Sequence, residues 1–138
     1  MQMIIAVGPS GCGKSHFFIN YLKPQGFIEA SADHFFEKSG AYQFNPRELD
    51  KAHEFSQEEA REAISKGLKV YISNTNTREW ERKPYVDLAN KVGYEVWLKV
   101  FDVDAETCAA RNTHGVPLEA VKKMKERIDV PAGFFKVK

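Results

Sequence analysis

The feature that most restricts this chain is an apolar run, Met3-Ile4-Ile5-Ala6-Val7, that stops abruptly at Gly8-Pro9-Ser10-Gly11-Cys12-Gly13-Lys14-Ser15. The run is short, rich in β-branched residues and unbroken by polar ones, so it reads as a strand buried on both faces. It is too short for a signal-peptide core or a membrane span. The glycines that end it open backbone conformations closed to other residues. A helix-period segment then starts inside Gly13-Lys14-Ser15 and runs to about Lys23-Pro24. Strand, glycine loop and helix in that order commit the beginning of the chain to a β-loop-α unit.

The alternation continues. Further strands are predicted at Phe27–Ala30, Lys69–Ser73 and Tyr94–Phe101. A helix is signposted by Asn45 as N-cap, Pro46 at its first position and Glu48 as capping-box partner. Its inward face runs through Leu49, Ala52, Ala60, Ala63 and Ile64, and Gly67 stops it. A helix from about Thr77 to Val92 is expected to turn Trp80, Leu88 and Val92 inward, with a kink at Pro84. Asp104 caps a short helix ending at Arg111. Pro117 opens a last one, with Leu118, Val121, Met124 and Ile128 on one side. Strands alternating with helices predict an α/β fold, a parallel sheet with helices on both faces. Ligands bind such sheets beyond the carboxyl ends of the strands. The tails Gly8–Ser15, Ser31–Asp33, Asn74–Asn76 and Asp102–Asp104 are therefore expected at one edge.

With 138 residues and no repeat or linker-like stretch, residues 1–138 read as a single domain. Lys and Arg total 20 against 19 Asp and Glu, so overall charge selects no polyanionic partner and any basic surface must be local. Cys12 and Cys108 have no metal-ligand spacing and read as reduced cysteines of a cytoplasmic protein.

Gly8 to Ser15 matches the Walker A pattern in full. In such a loop backbone N–H groups turn inward as a nest for phosphate oxygens, and the following helix presents its positive end. Lys14 then follows the β- and γ-phosphates of ATP, and the Ser15 hydroxyl is the expected Mg2+ ligand. Gly8, Pro9, Ser10, Gly11, Cys12, Gly13, Lys14, Ser15 and the adjoining His16 form the expected ATP-binding segment. Cys12, near Lys14 and a helix N-terminus, is expected to have a lowered pKa and to react with thiol reagents.

Walker A alone does not supply an acceptor. A hydroxyl attacking a γ-phosphate needs a carboxylate to take its proton. Asp33 follows the second strand at the ligand edge; by pattern alone it is either that base or a cap for the turn into His34-Phe35-Phe36. Asn74 could hold a magnesium-bound water or the acceptor, whereas Asn76 reads as the cap of the helix that follows it. Arg111 leaves a short helix into a flexible turn, a lid at about residues 111–117, from which its guanidinium could close over the phosphoryl group. Phe17-Phe18, Phe35-Phe36 and Phe134-Phe135 read as core pairs before base-stacking pairs. Lys122, Lys123, Lys125 and Arg127 give the last helix a basic side.

Taken in order, these segments resemble the kinase domain of the phage-type 5′-hydroxyl polynucleotide kinase family and related P-loop modules of eukaryotic NEDD4-binding proteins. The resemblance runs from about Met3 to Arg127. Ile72-Ser73-Asn74-Thr75-Asn76 and Arg111-Asn112 are its more specific parts. It implies a P-loop kinase fold with a small lid, ATP and Mg2+ as cofactors, Asp33 activating the acceptor hydroxyl and Arg111 reaching the phosphates. Three positions depart from the phage pattern. Asn74 stands where that family has an acid, Phe36 where an arginine grips the acceptor phosphate, and a second lid arginine is replaced near His114. Phe36 is expected to compensate by stacking on the terminal base. The expected activity is transfer of the γ-phosphate to a nucleic-acid hydroxyl, foremost the 5′ end of DNA or RNA, with no phosphatase activity and no membrane partner. The alternatives are a kinase for a modified-base or metabolite hydroxyl and a non-catalytic ATP-binding module.

Overall fold

A computed structural model describes residues 1–138. Five strands form one sheet in the order β2-β3-β1-β4-β5: β1 Gln2–Val7, β2 Ile28–Ala30, β3 Val70–Ile72, β4 Glu95–Val100 and β5 Gly133–Lys136. The first four are mutually parallel, and β5 pairs antiparallel with β4, Leu98 opposite Phe135. β1 is central, which is why its residues Met3 to Val7 are all buried.

The period-two alternation of β1 separates two cores. Met3, Ile5 and Val7 face α3 (Leu49–Ser65) and α4 (Glu79–Lys91), packing with Ala60, Ala63, Tyr85 and Ala89. Ile4 and Ala6 face the opposite layer, where Leu22, Phe27 and Tyr71 meet them. That layer begins as α1 (Lys14–Phe17), widens into a π turn at Phe18–Leu22 and tightens into a 3₁₀ turn at Lys23–Gln25. Two smaller clusters attach the edges that matter for the site. Cys12, Cys108 and Val121 join the glycine loop to α5 (Ala105–Arg111) and α6 (Leu118–Arg127). Ala32, Phe36 and Ala52 join α2 (Asp33–Phe36) to α3. No helix is long and apolar enough to cross a membrane.

The expected parallel sheet is formed by β1 to β4, and β5 adds an antiparallel edge strand that was not expected. β5 escaped the sequence reading because it is only four residues long and follows Pro131-Ala132. Its two aromatics divide as alternation requires: Phe135 packs on the core and Phe134 stacks on Trp97 at 5.0 Å. α4 also presents a different face from the one expected. Arg82, Tyr85 and Ala89, spaced by three and four, turn inward, leaving Trp80 and Val92 exposed. Leu49 is likewise exposed, at the mouth of the cleft described next.

Candidate active site

Because the first four strands are parallel, their carboxyl tails emerge together, and the four predicted segments meet at one edge. Gly8 N–H donates to Thr75 O at 3.0 Å, tying the glycine loop to the tail of β3. Behind that bond lies Asn76, whose amide donates to Ala6 O at 2.7 Å, Asn74 O at 3.2 Å and Ile72 O at 3.3 Å. Asn76 adopts φ 48° and is buried, so it staples two strand ends from behind and does not cap the helix. The α4 cap is instead Arg78, whose N–H is accepted by Glu81 at 3.2 Å.

The glycine loop fills the space between β1 and α5 so closely that two glycines are fixed by packing. A Cβ on Gly8 would lie 2.5 Å from Cys12 Sγ, and one on Gly11 would overlap Cys108 O. Gly13 takes φ 106° to deliver the chain into α1, whose first N–H groups have no carbonyl one turn back and point into the loop. The Lys14 ammonium donates to Gly8 O at 2.6 Å and Pro9 O at 3.1 Å. Burial lowers its pKa, while Cys12 and the carboxylate of Asp33 act on it in the opposite direction. Ser15 and His16 are exposed beside it and line the cleft. Cys12 overturns the expectation of a reactive thiol: it is 3% exposed, and burial raises its pKa more than Lys14 lowers it.

Across a cleft of about 760 Å³ stands Asp33, the first residue of α2. Its backbone N–H is bonded to Ser31 Oγ at 3.1 Å, and its side chain is 46% exposed toward the cleft. The turn that carries it is held from two sides. Asn74 Oδ1 accepts from Ala32 N–H at 2.8 Å while its Nδ2 donates to Ser56 and Tyr85, at 3.0 and 3.3 Å. Both ends of that amide are engaged within the protein, so Asn74 positions the Asp33 turn. His34 Nδ1 meets Glu59 at 2.8 Å and its Nε2 meets Glu29 at 3.0 Å. Hydrogen bonds to these two carboxylates push its pKa up to about 10, making it a charged clamp between β2, α2 and α3.

Two side chains at Asp33 were not identified as site residues from the sequence. Tyr42 donates its hydroxyl to Asp33 Oδ1 at 3.5 Å, and burial, then the Asp33 charge, push the phenol up to about 12. His114 of the lid stacks on the Tyr42 ring at 3.7 Å and places Nε2 3.7 Å from Asp33 Oδ2. A lone tyrosine after Ser39-Gly40-Ala41 carries no sequence signal for this role; His114 was visible only as a departure from the family pattern. Phe36 does not fit its expected role either. It is 5% exposed and meets Tyr42 and Phe44 edge-on, a pedestal for other rings.

The segment expected to act as a lid is a compact turn. Asn112 donates to Ala109 O and Val116 O and accepts from Val116 N–H, at 2.9 to 3.0 Å. Arg111, immediately before it, is exposed at the cleft edge with its guanidinium free of any ion pair. The structure thus brings Lys14, Ser15, Asp33 and Arg111 to one cleft and withdraws Asn76 and Cys12 behind it.

A family described as "AAA domain" matches residues 3–131. Human NEDD4-binding protein 2 is 38% identical over 134 residues, covering 91% of this chain and 8% of that protein. A protein of Acanthamoeba polyphaga mimivirus named as a bifunctional polynucleotide phosphatase/kinase is 31% identical over 94 residues, 68% of this chain and 19% of that protein. The chain therefore spans less than a fifth of either relative. Among solved structures, the Pnkp1/Rnl/Hen1 RNA repair complex contains a chain superimposing with a TM-score of 0.73 at 16% identity, over 98% of this chain and 48% of that one. A gluconokinase from Sinorhizobium meliloti superimposes with a TM-score of 0.62 at 19% identity, over 96% and 77%. The strand order, the glycine loop on β1 and the match across residues 3–131 place this chain in the AAA-domain family, as a P-loop kinase-like domain related to polynucleotide kinases.

Proposed function

We propose that this domain transfers the γ-phosphate of ATP to a hydroxyl at the 5′ end of a nucleic acid. The observation that carries the reading is the placement of Asp33 and Lys14 in one cleft, with the Arg111 lid at its edge. Asp33 takes the proton of the acceptor hydroxyl as that oxygen attacks the γ-phosphorus; the bond to the β-phosphate oxygen breaks and ADP leaves. Lys14 turns from the carbonyls of Gly8 and Pro9 to the phosphate oxygens, and Arg111 closes from the lid. The residues fit a magnesium ion held sparsely. Ser15, exposed in the cleft beside Lys14, offers a hard hydroxyl oxygen of the kind magnesium takes and would be its protein ligand. When bound, the ion neutralises charge on the β- and γ-phosphates.

The polynucleotide acceptor is supported by the viral relative. The gluconokinase likeness favours a small hydroxyl substrate as the second reading. Transfer of labelled γ-phosphate to 5′-hydroxyl oligonucleotides, nucleosides and small polyols separates them. Asp33→Asn is expected to keep ATP affinity and lose transfer by orders of magnitude. A parallel fall in ATP binding and transfer would make Asp33 a structural cap, and efficient transfer to polyols alone would replace the acceptor assignment.

A further inference from the structure

The acceptor side of the cleft has a composition that the phosphate side lacks. The only lysine and arginine among the cleft residues are Lys14 and Arg111, one on the glycine loop and one on the lid. Around Asp33 the wall is mainly aromatic and aliphatic, Phe36, Tyr42, Phe44 and Leu49, with the imidazoles of His53 and His114 as its basic groups. No lysine or arginine lines the acceptor side of the cleft, and Phe36 at its base is buried.

The aromatic rings are arranged around Phe36. Its ring is 5.2 Å from Phe44 and 6.1 Å from Tyr42, in both cases edge to face. Tyr42 is spent: His114 covers one face and its hydroxyl points at Asp33. Phe44 is not. It is 51% exposed although it lines the cleft, so an apolar side chain is presented to solvent on the acceptor side, with Phe36 and then Tyr42 between it and Asp33.

Resting on the polynucleotide reading above, we infer that Phe44 is the stacking platform for the terminal nucleobase of the acceptor. Phe36 holds it from below, and the Tyr42–His114 stack bounds it on the Asp33 side. The acceptor end is then gripped through its base, not through an ion pair with its first phosphate. Every base offers a π face, so such a platform tolerates all terminal bases and rejects an end without one.

The test uses the unmutated protein with two oligonucleotides that differ only at the 5′-terminal nucleotide, one carrying 2-aminopurine and the other an abasic sugar with its 5′-hydroxyl intact. The base-bearing end is expected to have the higher kcat/KM by about 5- to 150-fold, the span of one base–aromatic stack, and 2-aminopurine fluorescence to be quenched on binding. Phe44→Ala should remove both the preference and the quenching, and Phe44→Trp should restore them, with the KM for ATP unchanged in each. Equal phosphorylation of the two ends overturns the stacking inference while leaving the polynucleotide reading intact. Phosphorylation of neither end, with nucleosides or polyols accepted, overturns both.

Discussion

Gly11 occupies a variable position of the Walker A pattern, yet the structure predicts that any other residue there is costly. Its φ is 83°, and a Cβ would be driven between Cys108 O, which it overlaps, and Asn112 N at 2.9 Å. Those two atoms are themselves the last hydrogen-bonded pair of α5, at 3.0 Å. Gly11→Ala therefore carries two costs. The left-handed backbone costs an L-residue about 1–2 kcal/mol, and forcing an atom into closed packing costs about 1–3 kcal/mol more because backbone, not a flexible side-chain end, must move. Gly40→Ala is the control. Gly40 has φ 88° but nothing within 4 Å of its added Cβ, so it carries the first cost alone. Urea unfolding is expected to show Gly11→Ala destabilised by about 2–5 kcal/mol and Gly40→Ala by about 1–2 kcal/mol. Because the movement separates the glycine loop from α5, ATP should also stabilise Gly11→Ala less than it stabilises the Gly40→Ala protein. Equal unfolding free energies for the two variants, with equal gains on adding ATP, would refute the close approach.

The His34 clamp has a defined pH signature. Its folded pKa of about 10 lies above the unfolded value of about 6.5, so its stabilisation is full below pH ~6.5 and is lost as pH rises toward 10. The stability advantage of the natural protein over His34→Gln should shrink across that window, by at most about 1.4 kcal/mol per pH unit in denaturant titrations. Arg82 donates to Asn76 O at 2.8 Å and Asp129 Oδ1 at 2.7 Å, and is 5% exposed. Arg82→Leu leaves the buried Asn76 O without its donor, while Asp129 keeps its bond from Glu79 N–H at 2.8 Å, and is expected to cost about 1–3 kcal/mol, read as a melting point lower by roughly 3–10 °C. Cys12, buried with a raised pKa, should react with a thiol reagent far more slowly than an unfolded control; equal rates would show that the loop opens freely. Lys14→Ala should fold normally and lose phosphate transfer by orders of magnitude, measured with labelled ATP.

The sequence determined by itself whatever depends on neighbours in the chain. The Val7-to-Ser15 transition from strand to loop to helix is such a case, since glycine spacing and one lysine define a phosphate nest locally. The Asp104 cap is another: its carboxylate accepts from Thr107 N–H at 2.8 Å, three residues on. The parallel strands β1 to β4 were legible from alternation, and with them the edge on which Asp33, Asn74 and Arg111 would lie. The tertiary structure alone decided what those residues touch. Asn74 is a brace because Ala32, Ser56 and Tyr85 converge on it from three separate elements. Cys12 is buried because α5 and α6 pack over the loop. Tyr42 and His114, distant in sequence, meet at Asp33 only when the lid folds against the turn after α2. Phe36 and Phe44 are the same residue type, yet one is buried and the other is exposed at the cleft. Residue type sets what a side chain can do, and long-range packing sets which partner it meets and how much water remains around it.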